Sequence, residues 1–574
     1  MNEVLTAPAE ARSVATNSAA SSARFRRWCY VFLVAALIFF AFVRFRSRTM
    51  PLERDEGEYA YMGQLMLEGI PPYKLAANMK LPGTYMGYAA IMAVFGESAS
   101  GIRLGMTVVT TAAAFLLFLL GKRLYGPMTG SIAGATYAFL AARPAVLGLD
   151  GHATHFVVLA ALAGILLLLF AIEHGRTGLF FASGIAFGLS FLMKQPGILF
   201  AFFAGCYWLY LEWKRGLERK NVVSRGSALV VGTALPYALT CLWLWRAGVF
   251  SNFWFWTWTY ARQYGAINDL SEGWKLFNFT FEWAVRPFAL WEIALVGLTA
   301  PLWSRLARQH GGCVAGFFLI SVLAVVPGLY FRPHYYIVLF PAAALCMGLA
   351  VESAWHELYR LDLRRLALVP IAYFLIVYII SVHSQWTAFF RLDPDSLSRK
   401  THYDQPYADA ATVADLIAHR ATPQDQIGII GSEPEVCFYT HLRCTSSFLY
   451  MYPLMERQPF ASKMQTDFKR ELENARPRFL LYVDDERSWG WKATLVENES
   501  FLNWGWDFAH TGYQLVDRVP APDIGSYPEH LWGDRASIYV FELKEGLGGL
   551  TIDTSPSGVI LSEAVFTRRS EGSP

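Results

Sequence analysis

The chain has 574 residues, of which 54% are hydrophobic and only 17% are charged. A soluble protein normally has about 25% charged residues, so this composition excludes an ordinary soluble protein. The formal net charge of +3 is too small, and the basic residues too dispersed, for a nucleic-acid partner. The long apolar runs lie within residues 28–386, whereas residues 387–574 have the composition of a soluble domain.

The N-terminal part divides into a polar tail and a first apolar segment. Residues 1–23 are small, polar and aperiodic, which predicts a disordered cytoplasmic tail. The apolar run 28–43 has arginines on both sides, and the following arginines occupy the place where a signal peptide has its small-residue cleavage site. Residues 24–386 are therefore predicted to begin with a retained transmembrane helix.

The hydrophobic pattern predicts about eleven membrane spans, since one crossing needs about 20 apolar residues. The predicted spans lie near residues 28–45, 102–121, 128–147, 154–172, 178–193, 196–213, 227–247, 283–304, 313–331, 335–354 and 366–386. The shorter run 84–95 predicts a helix at the membrane interface. The aromatic outer loop 251–264 is predicted to lie in the same layer.

The distribution of basic residues predicts the topology. Arginines and lysines concentrate in alternate short loops, which the positive-inside rule assigns to the cytoplasm. These residues are Lys122, Arg123, Arg176, Lys214, Arg215, Arg219, Lys220, Arg225, Arg305, Arg308, Arg360, Arg364 and Arg365. The N-terminus is then cytoplasmic, residues 46–101 form the first outer loop, and residues 387–574 lie outside the cytoplasm.

The sequence of residues 387–574 predicts both helices and strands, as in a small α/β domain. An apolar face predicts a helix over 407–419. Short β-branched or aromatic runs bounded by polar turns predict strands at 426–430, 479–483 and 537–541.

The cysteines separate into two groups. Five lie in apolar spans, where a thiol behaves as a small hydrophobe. Cys437 and Cys444 lie in the predicted exported domain, where disulfides persist. The sequence therefore predicts a Cys437–Cys444 disulfide, with two buried thiols as the alternative.

The first outer loop contains the most informative acidic cluster. Asp55, Glu58 and Tyr59 have the i, i+3, i+4 spacing that places side chains on one face of a helix. A carboxylate at the membrane surface can accept a proton from a sugar or phenol hydroxyl. Asp55 and Glu58 are candidate catalytic residues, and a solvated acidic turn is the alternative.

Three cations are predicted on the same outer side. Lys194 lies between two apolar spans with almost no loop, where a cation usually marks a partner or a pathway. Lys80 lies in the first outer loop, and Arg332 lies at the end of another span. Together they could hold a lipid-linked phosphate. Snorkelling of the side chain to the headgroups is the alternative for Lys194 and also for Arg332.

The short outer loop around residue 150 contains Asp150, His152 and His155. The H-x-x-H spacing invites a zinc site, but two histidines without a well-placed third ligand make a weak one. No metal site is predicted here. Asp150 is a candidate second acid that positions the acceptor or the donor sugar.

Several of these motifs, in this order, resemble the GT-C membrane glycosyltransferases that use polyprenyl-phosphate sugars. The nearest branch contains the protein O-mannosyltransferases and the bacterial lipid A aminoarabinose transferases. The matching pieces are Asp55-Glu-Gly-Glu-Tyr-Ala60, Lys80-Leu-Pro82, Gly96, Arg103-Leu104, Gly188-Leu-Ser-Phe-Leu-Met-Lys194-Gln195 and His334-Tyr-Tyr-Ile-Val-Leu-Phe-Pro341.

This resemblance implies roles for individual residues and a location. It implies that Asp55 is the general base and that Lys80 and Lys194 lie near the donor phosphate. It adds Tyr335 or Tyr336 to the phosphate site. It also implies a multi-pass protein of the bacterial cytoplasmic membrane.

Two positions depart from the family pattern. The aminoarabinose transferases have a zinc-binding glutamate just before the loop lysine, and here Met79 occupies that position. The family motif tends to have two prolines after the lysine, where this chain has Leu81 and Pro82. No cofactor is expected, and dependence on a divalent cation is left open together with the identity of the sugar.

The sequence therefore predicts an inverting glycosyltransferase. It would move a sugar from a polyprenyl-phosphate donor to a glycan, lipid or protein acceptor on the outer side of the membrane. The alternatives are a transporter or flippase of lipid-linked saccharides, which should show internal repeats, and a non-catalytic envelope assembly protein. No convincing repeat is visible in the sequence.

Overall fold

The structure is a computed structural model that describes residues 9–216, 218–285, 289–403, 405–490, 498–520 and 537–544. Most of the described chain is helical. The α-helices are Ala9–Arg46, Arg54–Leu67, Gly83–Phe95, Ala99–Leu124, Pro127–Leu140, Ala153–His174, Thr177–Met193, Ile198–Arg215, Arg219–Arg246, Phe250–Trp254, Ala261–Gly265, Leu270–Thr280, Leu290–Trp303, Arg305–Arg308, Gly311–Val325, Phe340–Arg360, Val369–His383, Pro394–Thr401, Tyr407–Ala418, Glu435–Thr440, Tyr452–Met455, Ala461–Ala475, Glu486–Trp489 and Glu499–Gly512.

Each predicted span contains a helix, but many of these helices are shorter than a bilayer. Within the described residues, five helical segments are long and apolar enough to cross a membrane, and a sixth if one bent pair is a single span. The five are Ala23–Arg46, Ala99–Leu124, Ala153–His174, Arg219–Arg246 and Leu366–His383. Helix length and composition thus indicate a polytopic membrane protein, but they do not confirm the predicted count of eleven spans. Hydropathy, on which that count rests, does not show where a helix breaks inside an apolar run.

Two predicted irregular segments are helical. The first helix begins at Ala9, within the stretch predicted to be a disordered tail, and alanine, which is frequent there, has the highest helix propensity. The predicted aromatic loop 251–264 lies in a helical stretch composed of Phe250–Trp254, a π-helix Phe255–Tyr260 and Ala261–Gly265. Aromatic content does not distinguish a loop from a helix here, because large aromatic residues at successive positions pack on a helix as well as in a loop.

The span helices leave large apolar side chains exposed on the outside of the bundle. Phe202 is 66% exposed, Leu302 82% and Ile379 62%. In water such surface would be costly. In a bilayer the lipid chains cover it, because they are as apolar as the side chains.

A small sheet follows the helical part. Its strands are β1 (Gln426–Ile430), β2 (Arg443–Cys444), β3 (Phe479–Asp484), β4 (Tyr513–Pro520) and β5 (Ser537–Leu543). The order is β2-β1-β3-β5-β4, with β1 parallel to β2 and β3, and β5 antiparallel to β3 and β4. The three predicted strands and the helix predicted over 407–419 are confirmed, since each has the hydrophobic pattern of its element.

The C-terminal segment packs directly on the first outer loop. A Cβ at Gly57 would lie 2.7 Å from the Glu435 Cβ, so only glycine allows the two helices to approach this closely. The Leu52 N–H donates to the Tyr439 hydroxyl at 2.8 Å, and the Arg54 guanidinium is 3.3 Å from the Glu433 carboxylate. Residues more than 370 positions apart therefore form one wall of a shared site.

Cys437 and Cys444 form a disulfide with Cα atoms 5.8 Å apart, which is the predicted pairing. It closes a short loop between the helix Glu435–Thr440 and β2. We expect mass spectrometry of the unreduced protein to show neither cysteine alkylated. Alkylation of both without prior reduction would contradict this pairing, and the thiols that appear after reduction are the control.

Candidate functional site

Asp55 is held in the first turn of the helix Arg54–Leu67. Glu53 precedes this helix and forms a capping box with Glu56: the Glu56 N–H donates to the Glu53 carboxylate at 3.1 Å, and the Glu53 N–H donates to Glu56 at 3.3 Å. This cap sets where the helix begins. It therefore sets the direction in which the Asp55 side chain points, toward a large cavity.

Lys80 forms ion pairs with both predicted catalytic carboxylates. Its Nζ lies 2.7 Å from the Asp55 Oδ1 and 2.6 Å from the Glu58 Oε2. Glu58 is fully buried and also accepts hydrogen bonds from Asn78 at 2.9 Å and from Tyr85 at 2.6 Å. Glu58 does not line the cavity, so the geometry makes it a residue that positions Lys80.

The two Asp55 oxygens have different surroundings. Oδ1 accepts hydrogen bonds from Lys80 and, at 3.0 Å, from the Tyr450 hydroxyl, whereas Oδ2 faces the His152 ring 3.8 Å away. Burial would raise the pKa of Asp55, but the Lys80 ammonium group, by its charge and its hydrogen bond, outweighs it and holds the pKa well below its usual range. Asp55 is thus an ionised carboxylate at neutral pH.

The loop that carries Lys80 is tied to the turn that carries Lys194. A Cβ at Gly83 would lie 2.4 Å from the Leu192 carbonyl oxygen, so the backbones touch at this glycine. The Thr84 hydroxyl donates to the Met193 carbonyl at 2.9 Å, and the Gln195 amide donates to the Met79 carbonyl at 3.1 Å. These contacts bring both lysines to the same cavity.

Lys194 and Arg332 lack acidic partners in the described part of the chain. The Lys194 Nζ lies 3.7 Å above the centre of the Tyr335 ring and forms no ion pair there. Burial lowers the pKa of Lys194 to about 7, with partial opposition from Asp55. Arg332 donates to the Tyr264 hydroxyl at 3.4 Å and also lacks a carboxylate within 4.0 Å. The cavity thus holds two basic side chains that no carboxylate of the described chain pairs with.

Asp150 is placed apart from the cavity. It is fully buried, with one oxygen 3.2 Å from Arg103 and the other 3.0 Å from the His402 Nε2. Burial would raise the pKa of Asp150, but His402 and Arg103 outweigh it and lower the pKa. Arg103 also binds Glu56 at 2.7 Å. The geometry makes Asp150 part of a buried ionic network and gives it no access to a substrate.

The His402–Asp150 contact joins the C-terminal segment to the loop before Ala153–His174. We expect His402→Leu to lower stability by about 1.5–3 kcal/mol, because Asp150 loses a hydrogen bond to its charged group. A lower Tm in detergent measures this effect. His419→Leu is the control, since His419 is exposed and bonds only to the Asp415 carbonyl; equal Tm values for the two variants would contradict the expectation.

Two histidines face Asp55 from separate parts of the chain. The rings of His152 and His334 are stacked with centres 3.9 Å apart. Burial lowers the pKa of His152 to about 4 and holds that of His334 well below its usual range, so both rings are neutral. His155, the other half of the H-x-x-H pair, is fully buried and does not line the cavity.

The cavity has a volume of about 870 Å³ and lies between the loops that carry Asp55, Lys194 and Arg332 and the C-terminal segment. Of the predicted site residues, Asp55, Lys80, Lys194, Arg332 and Tyr335 line it. Glu58, Asp150 and Tyr336 do not; the Tyr336 side chain lines a separate apolar cavity.

The C-terminal segment contributes side chains that sequence reasoning did not assign to the site. Tyr450 bonds to Asp55, and Tyr452 bonds to Arg54 beside it. Arg487 and His402 also line the cavity. Sequence spacing gave no signal for this contact, because nothing in it connects Tyr450 with Asp55, 395 positions away.

Comparisons with known proteins show which sequences and folds this chain resembles. Residues 82–243 match the family described as dolichyl-phosphate-mannose-protein mannosyltransferase. A crystal structure of ArnT from Cupriavidus metallidurans bound to undecaprenyl phosphate has a TM-score of 0.54 at 15% identity, covering 89% of this chain and 98% of that one. The chain therefore has the fold of that structure over most of its length.

Sequence relatives point to the same group. The undecaprenyl phosphate-alpha-4-amino-4-deoxy-L-arabinose arabinosyl transferase of Pseudomonas aeruginosa strain UCBPP-PA14 is 30% identical over 200 residues, which is 32% of this chain and 35% of the relative. The protein of that name from Pseudomonas savastanoi pv. phaseolicola is 28% identical over 196 residues, or 32% and 36% of the two chains. The matched region is about a third of these relatives. Together the matches show similarity in sequence to the aminoarabinose transferases and the protein mannosyltransferases over up to about a third of this chain.

Proposed function

We propose that this protein transfers a sugar from a polyprenyl-phosphate donor to an acceptor on the outer side of the cytoplasmic membrane. The observation that carries the proposal is one cavity lined by the Asp55 carboxylate and by three basic side chains, Lys80, Lys194 and Arg332. Two of these basic side chains, Lys194 and Arg332, have no acidic partner in the described chain, and a bound phosphate would supply the negative charge that favours their protonated forms.

An apolar cavity beside the charged one suits a lipid-linked donor. It has a volume of about 1060 Å³ and is lined by aromatic and aliphatic side chains such as Phe281, Trp291 and Phe318. Adjacent residues divide between the two cavities: Tyr335 lines the charged one and Tyr336 the apolar one. A molecule with a phosphate head and a hydrocarbon tail matches this arrangement of charge and apolar surface.

The geometry supports an in-line displacement. The acceptor hydroxyl attacks the anomeric carbon and transfers its proton to Asp55, while the bond from that carbon to the phosphate oxygen breaks. Lys194 and Arg332 offset the charge that grows on the departing lipid phosphate. Because this scheme has one direct displacement and no glycosyl-enzyme intermediate, the anomeric configuration inverts. Glu58 and Asn78 contribute by holding Lys80 in place.

A transfer assay tests the proposal. The full-length protein in nanodiscs is given a panel of radiolabelled undecaprenyl-phosphate sugars and membrane lipid, glycan or protein acceptors. We expect one donor to release polyprenyl phosphate and label an acceptor. Absence of transfer with every donor, together with movement of an intact lipid-linked sugar across a vesicle membrane, would replace the proposal with a flippase.

The proposal requires the cavity to face outward. Alkaline phosphatase fused after Phe390 should be active, because it folds only outside the cytoplasm, and a fusion after Arg215, in a predicted cytoplasmic loop, should be inactive. The opposite pattern would place Asp55 on the cytoplasmic side and would contradict the proposed topology.

A further inference from the structure

The C-terminal segment brings the Tyr450 side chain into contact with the Asp55 carboxylate. The Tyr450 hydroxyl lies 3.0 Å from the Asp55 Oδ1 and 3.1 Å from the Arg54 carbonyl oxygen, and it accepts a hydrogen bond from the Lys80 Nζ at 3.3 Å. The hydroxyl has a single proton, and a charged acceptor forms the stronger hydrogen bond. Tyr450 therefore donates to the Asp55 carboxylate.

The surroundings of Tyr450 keep its hydroxyl protonated. The residue is 7% exposed. Burial, together with the negative charges of Asp55 and Glu58, holds the pKa of Tyr450 well above its usual range. At neutral pH the phenol therefore retains the proton that it donates to Asp55.

The backbone before Tyr450 is tied to the loop that carries Lys80. Ala77 and Phe448 form a parallel β-bridge, and the Ala77 N–H donates to the Ser447 carbonyl at 3.1 Å. This pairing fixes the distance between the two chain segments whose side chains meet at Asp55.

The backbone after Tyr450 is tied to the start of the first outer helix. The Met451 N–H donates to the Ser432 hydroxyl at 2.9 Å, and the Ser432 carbonyl accepts a hydrogen bond from the Arg54 Nε at 2.6 Å. Arg54 directly precedes Asp55 in the chain. Tyr450 is thus held on both sides against the backbone that carries the carboxylate.

This arrangement gives the two oxygens of Asp55 different environments. Oδ1 accepts hydrogen bonds from both Lys80 and Tyr450, whereas no hydrogen bond from the described part of the chain reaches Oδ2. Two donors at separate positions restrict rotation of the carboxylate more than one donor does. Oδ2 is consequently the oxygen that remains available to accept a proton.

We propose that Tyr450 is a positioning residue for Asp55, so that the C-terminal segment forms part of the active site. The inference rests on the proposed glycosyl transfer, in which Asp55 takes the proton of the acceptor hydroxyl. By holding Oδ1, Tyr450 presents Oδ2 to that hydroxyl. Orientation matters for the rate, because a misplacement of about 1 Å can cost about 10²-fold.

Removal of the hydroxyl alone tests this role. Tyr450→Phe keeps the ring and removes the donor to Asp55. We expect the single-turnover rate constant at saturating acceptor to fall by about 10–100-fold, the range expected for losing a hydrogen bond to a charged group. A wild-type rate constant in Tyr450→Phe would overturn the inference.

Tyr61 provides a matched control at the same interface. It is 1% exposed, and its hydroxyl accepts a hydrogen bond from the Cys444 N–H at 2.9 Å, so it also joins the first outer helix to the C-terminal segment. It does not line the cavity. Tyr61→Phe should lower Tm as Tyr450→Phe does, but it should leave the rate constant unchanged. Equal rate losses in the two variants would assign Tyr450 a structural role and overturn the inference.

A double variant shows whether Tyr450 acts through Asp55. In the Asp55→Asn background the proton acceptor is absent, so Tyr450→Phe should cause no further loss of rate. Contacting residues that act together give such non-additive effects, whereas independent effects multiply. A further loss of about tenfold or more in the double variant would overturn the inference.

Misfolding and failure of the proposed function give different results. The rate constant is measured with a saturating excess of enzyme over labelled donor, so misfolded protein lowers the amplitude and leaves the rate constant unchanged. Absence of transfer by the wild-type protein would contradict the glycosyl transfer and, with it, this inference. An active wild type with the same rate constant as Tyr450→Phe would contradict the inference alone.

Discussion

Asp55→Asn should lower single-turnover transfer by about 10²–10⁴-fold, the usual contribution of a positioned proton acceptor. Asparagine keeps the shape of the side chain but cannot take the proton of the acceptor hydroxyl. The structure sharpens this expectation, because Asp55 is the one predicted carboxylate that lines the cavity, whereas Glu58 and Asp150 do not. Single-turnover kinetics with saturating donor isolates the chemical step from donor binding.

Two comparisons separate chemistry from structure in this experiment. Glu97→Gln makes the same carboxylate-to-amide change at an exposed residue outside the cavity, and its turnover should equal that of the wild type. Both variants must show wild-type expression and monodisperse behaviour in detergent. Near-wild-type turnover of Asp55→Asn would show that Asp55 is not the proton acceptor, and it would contradict the proposed displacement scheme.

Lys194→Met should lower kcat/KM by about 10²–10³-fold and should weaken donor binding. Methionine keeps the length and apolar stem of lysine but removes the charge. That charge interacts with the donor phosphate in the ground state and more strongly as the lipid phosphate departs. Loss of a preorganised group of this kind typically costs about 10²–10³-fold in rate. Donor affinity and single-turnover rate should therefore both fall.

A second lysine provides the matched control. Lys214 also lies over a tyrosine ring, with its Nζ 4.6 Å from the centre of Tyr210, but it is exposed at the predicted cytoplasmic end of its helix. Lys214→Met should leave donor affinity and rate unchanged. If Lys194→Met also left donor affinity unchanged, Lys194 would be a lysine that reaches the headgroups and has no role in phosphate binding.

The local elements of this protein were predictable from sequence because their signals are local. Apolar runs located a helix in every predicted span, and short β-branched or aromatic runs bounded by polar turns located β1, β3 and β5. The number of crossings was less accessible, because hydropathy reports where apolar residues lie and is insensitive to the breaks that shorten a helix. The helix Pro127–Leu140, for example, ends inside the predicted span 128–147.

The sequence also determined which residue types could form a site. A membrane tolerates few charged groups, so Asp55, Lys80, Lys194 and Arg332 stood out against the apolar background, and all four line one cavity. Only the tertiary structure decided their partners. Glu58 holds Lys80, Asp150 joins a buried network with His402, and His152 pairs with His334 in preference to His155. These contacts join residues up to about 250 positions apart. Their geometry follows from the packing of the loops against one another and against the C-terminal segment. No spacing in the sequence encodes that packing.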